Sequence, residues 1–565
     1  MTSKPPPGDR ERRRLKPDPL WYQRAVFYEV FVRGFYDSNG DGTGDILGLV
    51  EKLDYLSWLG IDCLWLLPFY QSPLRDGGYD ISDFFTVSPE FGDIADVFDL
   101  VEKAHKRGIR VIADMVVNHT SDQHPWFVES RSSKTNAKAD WYVWSDDADR
   151  WPEARVIFTD VEKSNWAWDE TRKQYYWHRF YSHQPDLNYE NPEVGEAMIN
   201  VVKFWLDVGL DGFRLDAVPY LFQADGTDGE NLPQTHEYLK RIRAEVDKGY
   251  PNRVLLAEAN QVPEDVMAYF GEGDECHMCF NFPLMPRMFV SVRRESRQPL
   301  VDVVRRTPEL PPGCQWGTFL RNHDELTLEK VSEEERDFML TSFANDPRSK
   351  RHTGICRRLA PLTDNDRLLS QLLHALLFSL PGSPIIYYGD EILLGDNIYL
   401  GDRDAVRTPM QWSPDRNGGF SKADPQQLYL QPLMDPVYGF QRLNVEAQLR
   451  DPSSFLHWVR RILQVRRAYP LFGTGGFELV EASNEAVFAF LRTQGTKAVL
   501  CVNNLSRLAQ PAELDLGNWA GRLPVEMLGR VPFPRIGSTR YFATLGPHEF
   551  FWFELVQRLP KRNRD

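Results

Sequence analysis

"GLDGFRLDAV", residues 209–218, decides how the chain is read. Its apolar residues suit a buried strand, yet it carries Asp211, Arg214 and Asp216. Arg214 and Asp216 are two positions apart, so in a strand their side chains point to one face. Charges on a buried face are costly unless they are paired. The flanking segments supply the context. "VVKFWLDVG" before it and "THEYLKRIRAEVDK" after it have helical spacing, and "RVLLAEAN" beyond is another apolar strand. The same alternation runs upstream, with strands at 25–32, 62–68 and 109–119. Helices at 49–60, with Leu49, Leu53, Leu56 and Leu59 near one face, and at 96–108, stopped by glycine, separate them. Downstream it resumes in "MCFNF", "WGTFLRNHDE" and "SPIIYYGDE". Strands alternating with helices imply a parallel sheet with right-handed crossovers. Eight candidate strands predict an α/β fold closed into a (β/α)8 TIM barrel. A doubly wound sheet would need a glycine-rich phosphate loop, and no GxGxxG or Walker pattern occurs.

Two regions break the rhythm. Residues 120–186 are rich in Trp, Tyr, Asp and Ser and lack clean periodicity. An insertion placed there, after the third strand, belongs at the active-site mouth. From about 473 the pattern becomes short strands, read as an all-β sandwich. The expected organisation is a flexible N-terminal arm at 1–20, a catalytic barrel at 21–119 and 187–472, the insertion domain at 120–186 and a C-terminal β-sandwich at 473–558. The 565 residues are 42% hydrophobic and 26% charged, with a formal net charge of −15. That balance argues against a general nucleic-acid binder, which would be basic. No stretch approaches the roughly 18 apolar residues of a membrane helix. The first residues lack the apolar core of a secretory signal, and their arginine run at 12–14 reads as solvated. Six scattered cysteines suit reduced thiols and a cytoplasmic enzyme. Cys276 and Cys279 form a lone CxxC without the second ligand pair of a zinc site, so they read as strand residues.

In a barrel enzyme the polar residues at the C-terminal strand ends are the catalytic candidates. Strand three ends in Asp114, Asn118 and His119, strand four in Arg214 and Asp216, and strand five in Glu258 and Asn260. Strand seven ends in Asn322, His323, Asp324 and Glu325. Singly each is a plausible cap or structural pair; convergence on one barrel end is not. Two carboxylates in different environments cleave glycosides, one attacking carbon and the other protonating the leaving oxygen. An arginine beside the nucleophile favours its ionised form, and burial keeps the acid protonated.

"DMVVNH" (114–119), "GFRLDAV" (212–218), "LLAEAN" (255–260) and "FLRNHD" (319–324) resemble, in order and spacing, the four signature regions of the α-amylase family of glycoside hydrolases. "QPDLN" (184–188) resembles the further region of its oligo-1,6-glucosidase-like branch. The likeness covers nearly the whole chain. It implies Asp216 as nucleophile, Glu258 as general acid/base and Asp324 as transition-state stabiliser. It also implies Arg214, His119 and His323 as residues that orient and bind the sugar at the −1 subsite. In "RDGGYD", Tyr79 matches the stacking aromatic and Asp76 the acid that closes the pocket by pairing with an arginine. Arg407 in "AVRTPMQW" is the candidate for that arginine. A pocket closed in this way admits one glucosyl unit.

Within the family, "SHQPDLNYENP", "FRLDAVPYLF", "LLAEANQVPED", "RNHDELTLE" and "RRLAPLTDNDR" resemble the maltose-isomerising branch. The implied reaction is reversible conversion of maltose to α,α-trehalose through a retained glucosyl-enzyme, with minor hydrolysis to glucose. Retention implies Asp216 and Glu258 carboxyls about 5–5.5 Å apart. Asn260 and Glu325, just past the catalytic acids, are the candidates for gripping the second glucose. The rival activities are those of an α-glucosidase, an oligo-1,6-glucosidase or a sucrose isomerase. A silent amylase-like scaffold, such as a transporter heavy chain, would be expected to lose a catalytic acid, and all three are present. The resemblance further implies a homo-oligomer, dimer or tetramer, acting on a small disaccharide; the charge balance and the absence of a long apolar run predict no nucleic-acid or membrane partner. A maltokinase partner is a further expectation.

"DSNGDGTGD" (37–45) spaces oxygen ligands around glycine turns, as calcium requires. The donors are Asp37, Asn39, Asp41 and Asp45, with the Thr43 carbonyl. It is not an EF-hand, because the twelfth position is Gly48. The stretch resembles the family's calcium loop after the first strand. Asn118 and Asp186, with the backbone oxygens of Tyr220 and Leu221, match a second family calcium site. A glutamate often follows in the maltose-isomerising branch; here Gln223 stands in its place, and a neutral ligand weakens the site. Both ions would be structural, and no organic cofactor is expected.

Overall fold

The structure is a computed structural model that describes residues 15 and 17–557. Residues 1–14 and 16 of the expected N-terminal arm, with its arginine run, lie outside those residues. Eight parallel strands close into a barrel: β1 Phe27–Val30, β2 Cys63–Leu66, β3 Arg110–Val116, β4 Gly212–Asp216, β5 Val254–Ala257, β6 Met278–Phe280, β7 Gln315–Phe319 and β8 Ser383–Tyr387. Each pairs with its neighbours in sequence, and β8 returns to β1. Every residue of these strands is buried. Parallel strands covered by helices are therefore written as continuous apolar runs, not alternations.

Local chemistry sets the helix ends. Helix Ile46–Leu59 begins where the Asp45 carboxylate accepts the Gly48 N–H at 2.6 Å, and it stops at Gly60, whose φ of 110° suits glycine. Leu49, Leu53, Leu56 and Leu59 are all buried against the barrel. Helix Ile94–Lys106 opens with an Asp93–Asp96 capping box.

Register decides which charges meet. Between β3 and β4, Asp114 lies opposite Arg214 and Val116 opposite Asp216. Asp211 enters β4 from the other barrel end. Its carboxylate meets Arg110 Nη1 (2.9 Å), the Val111 N–H (2.9 Å) and His105 Nε2 (2.7 Å), a purely structural knot.

Between β3 and β4 the insertion carries helix Pro125–Ser132 and a small antiparallel sheet of Trp144–Ser145, Gln174–Trp177 and Trp166–Asp169. Its own core stacks Trp151 on Trp166 (5.7 Å) and sets Trp151 edge-on to Trp177 (5.1 Å). After the barrel, a five-stranded antiparallel sheet packs with the two-stranded pair Gln510–Leu514 and Tyr541–Leu545 around a second apolar core. Arg492 fastens this domain to the barrel, donating to the Ser379 carbonyl (2.8 Å) at the end of helix Arg367–Ser379. The six cysteines are buried free thiols, with Cys279 inside β6. Among the described residues no helix is long and apolar enough to cross a membrane.

Candidate active site

Arg214 organises the C-terminal end of the barrel. Its Nη1 donates to Asp114 Oδ1 at 2.6 Å and to Asp216, and its Nη2 lies 2.6 Å from Glu258 Oε1. One guanidinium therefore holds the expected nucleophile and the expected acid/base together. Backbone strain finishes the arrangement. Ala217, next after Asp216, is left-handed at φ 52°, and its N–H donates to Glu258 Oε2 at 3.1 Å.

Electrostatics separates the two acids. Burial raises Asp216 to about 6 against the opposing pull of Arg214, with Asp114 and Asp324 adding to the rise. Desolvation thus outweighs the pairing with Arg214 expected to keep the carboxylate ionised. Burial, with the Asp216 and Asp324 charges, raises Glu258 to about 7, again against Arg214. Asp216 thus ionises before Glu258, the order that a nucleophile and a proton donor need. Asp324 behaves oppositely. Burial alone would raise it, but His323, Arg403 and Arg407 hold it well below the carboxylate range.

Tyr79 and His323 form the adjoining wall, stacked at 5.3 Å and 9°. The Tyr79 hydroxyl reaches Asp114 Oδ2 (3.0 Å) and His323 Nε2 (2.7 Å). The His119 ring is buried, and its Nε2 has no partner among the described residues. Burial lowers its pKa to about 3, so the ring is neutral and can hydrogen-bond a sugar hydroxyl.

The pocket-closing pair differs from the sequence expectation. Asp76 pairs with Arg403, not with Arg407. Arg407 is held elsewhere: its Nε donates to the His323 carbonyl and its Nη2 to Asp324 Oδ1, both at 3.0 Å. Arg403 also reaches Asp324 Oδ1, at 2.9 Å, and Gln184 donates to the second Asp76 oxygen at 2.9 Å.

The insertion supplies the remaining cover. Arg155 donates to Glu230 (2.7 Å) and Glu329 (3.1 Å), and Glu329 accepts from Asn260 (3.1 Å). Asn260 is thereby tied into the wall. Burial, with the Asp324 charge beside it, raises Glu325 to about 7. Phe158 stacks on His352 at 4.4 Å and lies beneath Arg403. Arg155, Phe158, Glu230, Glu329, His352, Arg403 and Glu29 were not singled out from the sequence. For Glu29 a signal existed: it is a lone acid in an apolar strand, as Asp216 is.

The two calcium candidates fit unequally. In the 37–45 loop, Asp37 accepts from the Gly40 and Gly42 N–H groups (2.6 and 2.8 Å), and Asp45 accepts from Ser38 and Gly48. Asn39 and Asp41 bond to each other at 3.0 Å. An ion there would share oxygens already engaged. At the second cluster, Asn118 Oδ1 and Asp186 Oδ2 are buried without partners among the described residues, and burial raises Asp186 to about 8. Orphaned oxygens of this kind fit a hard cation. Gln223, however, turns its amide onto the Tyr220 carbonyl at 2.8 Å.

Comparison with known proteins agrees with this geometry. The alpha amylase catalytic-domain model matches residues 29–475, and the maltogenic amylase C-terminal-domain model matches residues 477–552. The chain is 60% identical over 562 residues to the trehalose synthase/amylase TreS of Mycolicibacterium smegmatis, covering 97% of this chain and 95% of that one. It is 58% identical over 555 residues to the trehalose synthase of Pimelobacter sp., covering 96% and 97% respectively. The crystal structure of the trehalulose synthase MutB from Pseudomonas mesoacidophila is similar at a TM-score of 0.76 and 28% identity, covering 95% and 99%.

Proposed function

The chain belongs to the α-amylase family, and from that premise we propose that it interconverts maltose and α,α-trehalose by intramolecular glucosyl transfer. Asp216 attacks the anomeric carbon of maltose. Glu258 gives its proton to the 4-oxygen of the departing glucose, which leaves neutral. That glucose turns within the closed pocket, and its anomeric hydroxyl attacks the glucosyl-enzyme. Glu258 takes back the hydroxyl proton, Asp216 departs as carboxylate, and two inversions retain the α configuration. Asp324, kept ionised by three cationic side chains, faces the positive charge that develops at the anomeric carbon. Water that reaches the same intermediate gives glucose, the minor product.

The observation that carries this reading is the shared guanidinium. Arg214 binds Asp216 and Glu258 at once, which supports the short carboxyl spacing of a retaining enzyme, about 5–5.5 Å. The Arg155–Glu329–Asn260 bridge supports retention of the second glucose, with Asn260 and Glu325 as its holders. Calcium would be held by Asn118, Asp186 and the Tyr220 and Leu221 carbonyls, steadying the insertion. A second ion would sit on Asp37, Asn39, Asp41, the Thr43 carbonyl and Asp45. Six buried free thiols support a reducing, cytoplasmic setting.

The test is incubation with maltose and separation of the products by anion-exchange chromatography. Trehalose should exceed glucose. Glucose as the dominant product, with only traces of trehalose, would overturn the proposal in favour of an α-glucosidase.

A further inference from the structure

Glu29 lies within β1 and is 0% exposed. Its Oε1 accepts twice from one residue: the backbone N–H of His323 at 3.1 Å and the ring Nδ1 at 2.6 Å. The other ring nitrogen, Nε2, lies 3.1 Å from Asp324 Oδ2 and 2.7 Å from the Tyr79 hydroxyl. That hydroxyl also lies 3.0 Å from Asp114 Oδ2, so its one proton can serve either partner, while Nε2 faces the Asp324 carboxylate in both cases. Both ring nitrogens therefore face acceptors. A neutral imidazole carries one N–H and would present a bare lone pair to one of the two carboxylates.

We propose that Glu29 is a positioning residue that holds His323 as a doubly protonated imidazolium against Asp324 and the bound sugar. The inference rests on Asp324 and His323 belonging to the reacting site, as read above. The groups facing the ring are Glu29 beneath it, Asp324, Asp114 and Tyr79 in front, and Arg407 on its backbone carbonyl. Burial opposes the charge, but Asp324 and Glu29 outweigh it and raise His323 to about 9. A fixed cation here does two things. It keeps Asp324 ionised, and it makes the Nε2–H a charge-assisted donor, stronger than a neutral one.

Glu29 could instead only fasten β1 to the loop after β7. Glu29→Gln separates the two roles, because an amide oxygen still accepts both N–H groups but brings no charge. The assay is the pH dependence of kcat/KM for α-glucosyl fluoride with the full-length protein. Fluoride leaves without a proton, so Glu258 does not set the alkaline limb of glucosyl-enzyme formation. The wild type should hold its rate up to about pH 9. With Asp324 still facing the ring, the variant's limb should shift to lower pH by at least one unit, giving about a fivefold loss at pH 9 and near-equality at pH 6. A variant profile parallel to the wild type, lowered equally at every pH, would overturn the proposal. A second measurement does not depend on the variant folding: nuclear magnetic resonance of histidine-labelled wild type, with the His323 signal assigned by its loss in His323→Gln. His323 titrating near 9 supports the proposal, and titration below 7 overturns it. Failure of the isomerase reading would show separately, as glucose alone from maltose, with the fluoride profile intact.

Discussion

Arg403 pairs with Asp76 across the pocket, and its other terminal nitrogen reaches Asp324. Asp76 comes from the loop after β2 and Arg403 from the loop after β8, so one guanidinium ties these two loops to Asp324.

Breaking that tie should open the pocket to water. Arg403→Ala leaves Asp76 buried without its cation, a loss of about 3–5 kcal/mol that a lower Tm would report. Arg403→Lys keeps the charge but not the two-pronged reach. Either variant should lower the trehalose-to-glucose ratio from maltose several-fold. Arg407→Lys, which touches Asp324 and the His323 carbonyl, should lower kcat with the ratio unchanged. An unaltered product ratio in both Arg403 variants would count against the closing role.

The two central acids set the pH window. In the proposed mechanism Asp216 attacks as a carboxylate, so kcat/KM for maltose should rise through about pH 6. Glu258 must carry a proton to free the leaving glucose, so activity should fall above about pH 7. The result is a narrow bell between the two apparent values of a coupled pair. Asp216→Asn should abolish turnover. Glu258→Gln should lose maltose turnover yet still form glucosyl-enzyme from α-glucosyl fluoride, seen as a burst of fluoride. A rate still climbing at pH 9 in the wild type would contradict the assignment.

Much of this site was legible in the sequence because its signals are local. Arg214 and Asp216 share a strand face by the period of two, and Glu258 and Asp324 end other strands of the same alternating pattern. Arg403 was not legible as the partner of Asp76, because 327 residues separate them and only the closed barrel brings their loops together. The insertion hid Arg155 and Phe158, since a segment without periodicity gives no face to assign. The balance at Asp216 was also out of reach, because desolvation against pairing depends on packing that no motif encodes. Glu29 was within reach, as an acid in the otherwise apolar "VFYEVFV".

Asp211 should matter for stability and not for chemistry. It sits at the opposite barrel end, bonded to Arg110, Val111 and His105. Burial would raise its pKa, but His105 and Arg110 bring it below the ordinary value. A depressed carboxylate contributes stability that is present above its unfolded pKa of about 3.9 and is lost as pH falls through the folded value. Asp211→Asn should therefore lower Tm at neutral pH, by the equivalent of about 3–5 kcal/mol. The gap from wild type should narrow in acid. Comparing kcat for maltose at 25 °C checks the other half: a loss beyond about threefold in folded protein would contradict a structural role.

Calcium should act through Asn118 and Asp186. Asn118 Oδ1 and Asp186 Oδ2 are buried and unpartnered among the described residues, so an ion that meets them adds bonds there. The 37–45 loop already closes on its own N–H donors, so it should respond less. Ligand binding to the folded state stabilises by about 2.7 kcal/mol at a hundredfold excess over Kd. Added calcium should accordingly raise Tm by a few degrees and a chelator should reverse it. Asp186→Asn should abolish the shift, whereas Asp41→Asn should leave most of it. Gln223 places its amide on the Tyr220 carbonyl, an oxygen that the proposed ion would share. Gln223→Glu frees that carbonyl and adds a charged ligand, so calorimetric titration should show tighter binding than in the wild type. A calcium-dependent Tm shift that survives Asp186→Asn but vanishes in Asp41→Asn would place the stabilising ion at the first loop instead.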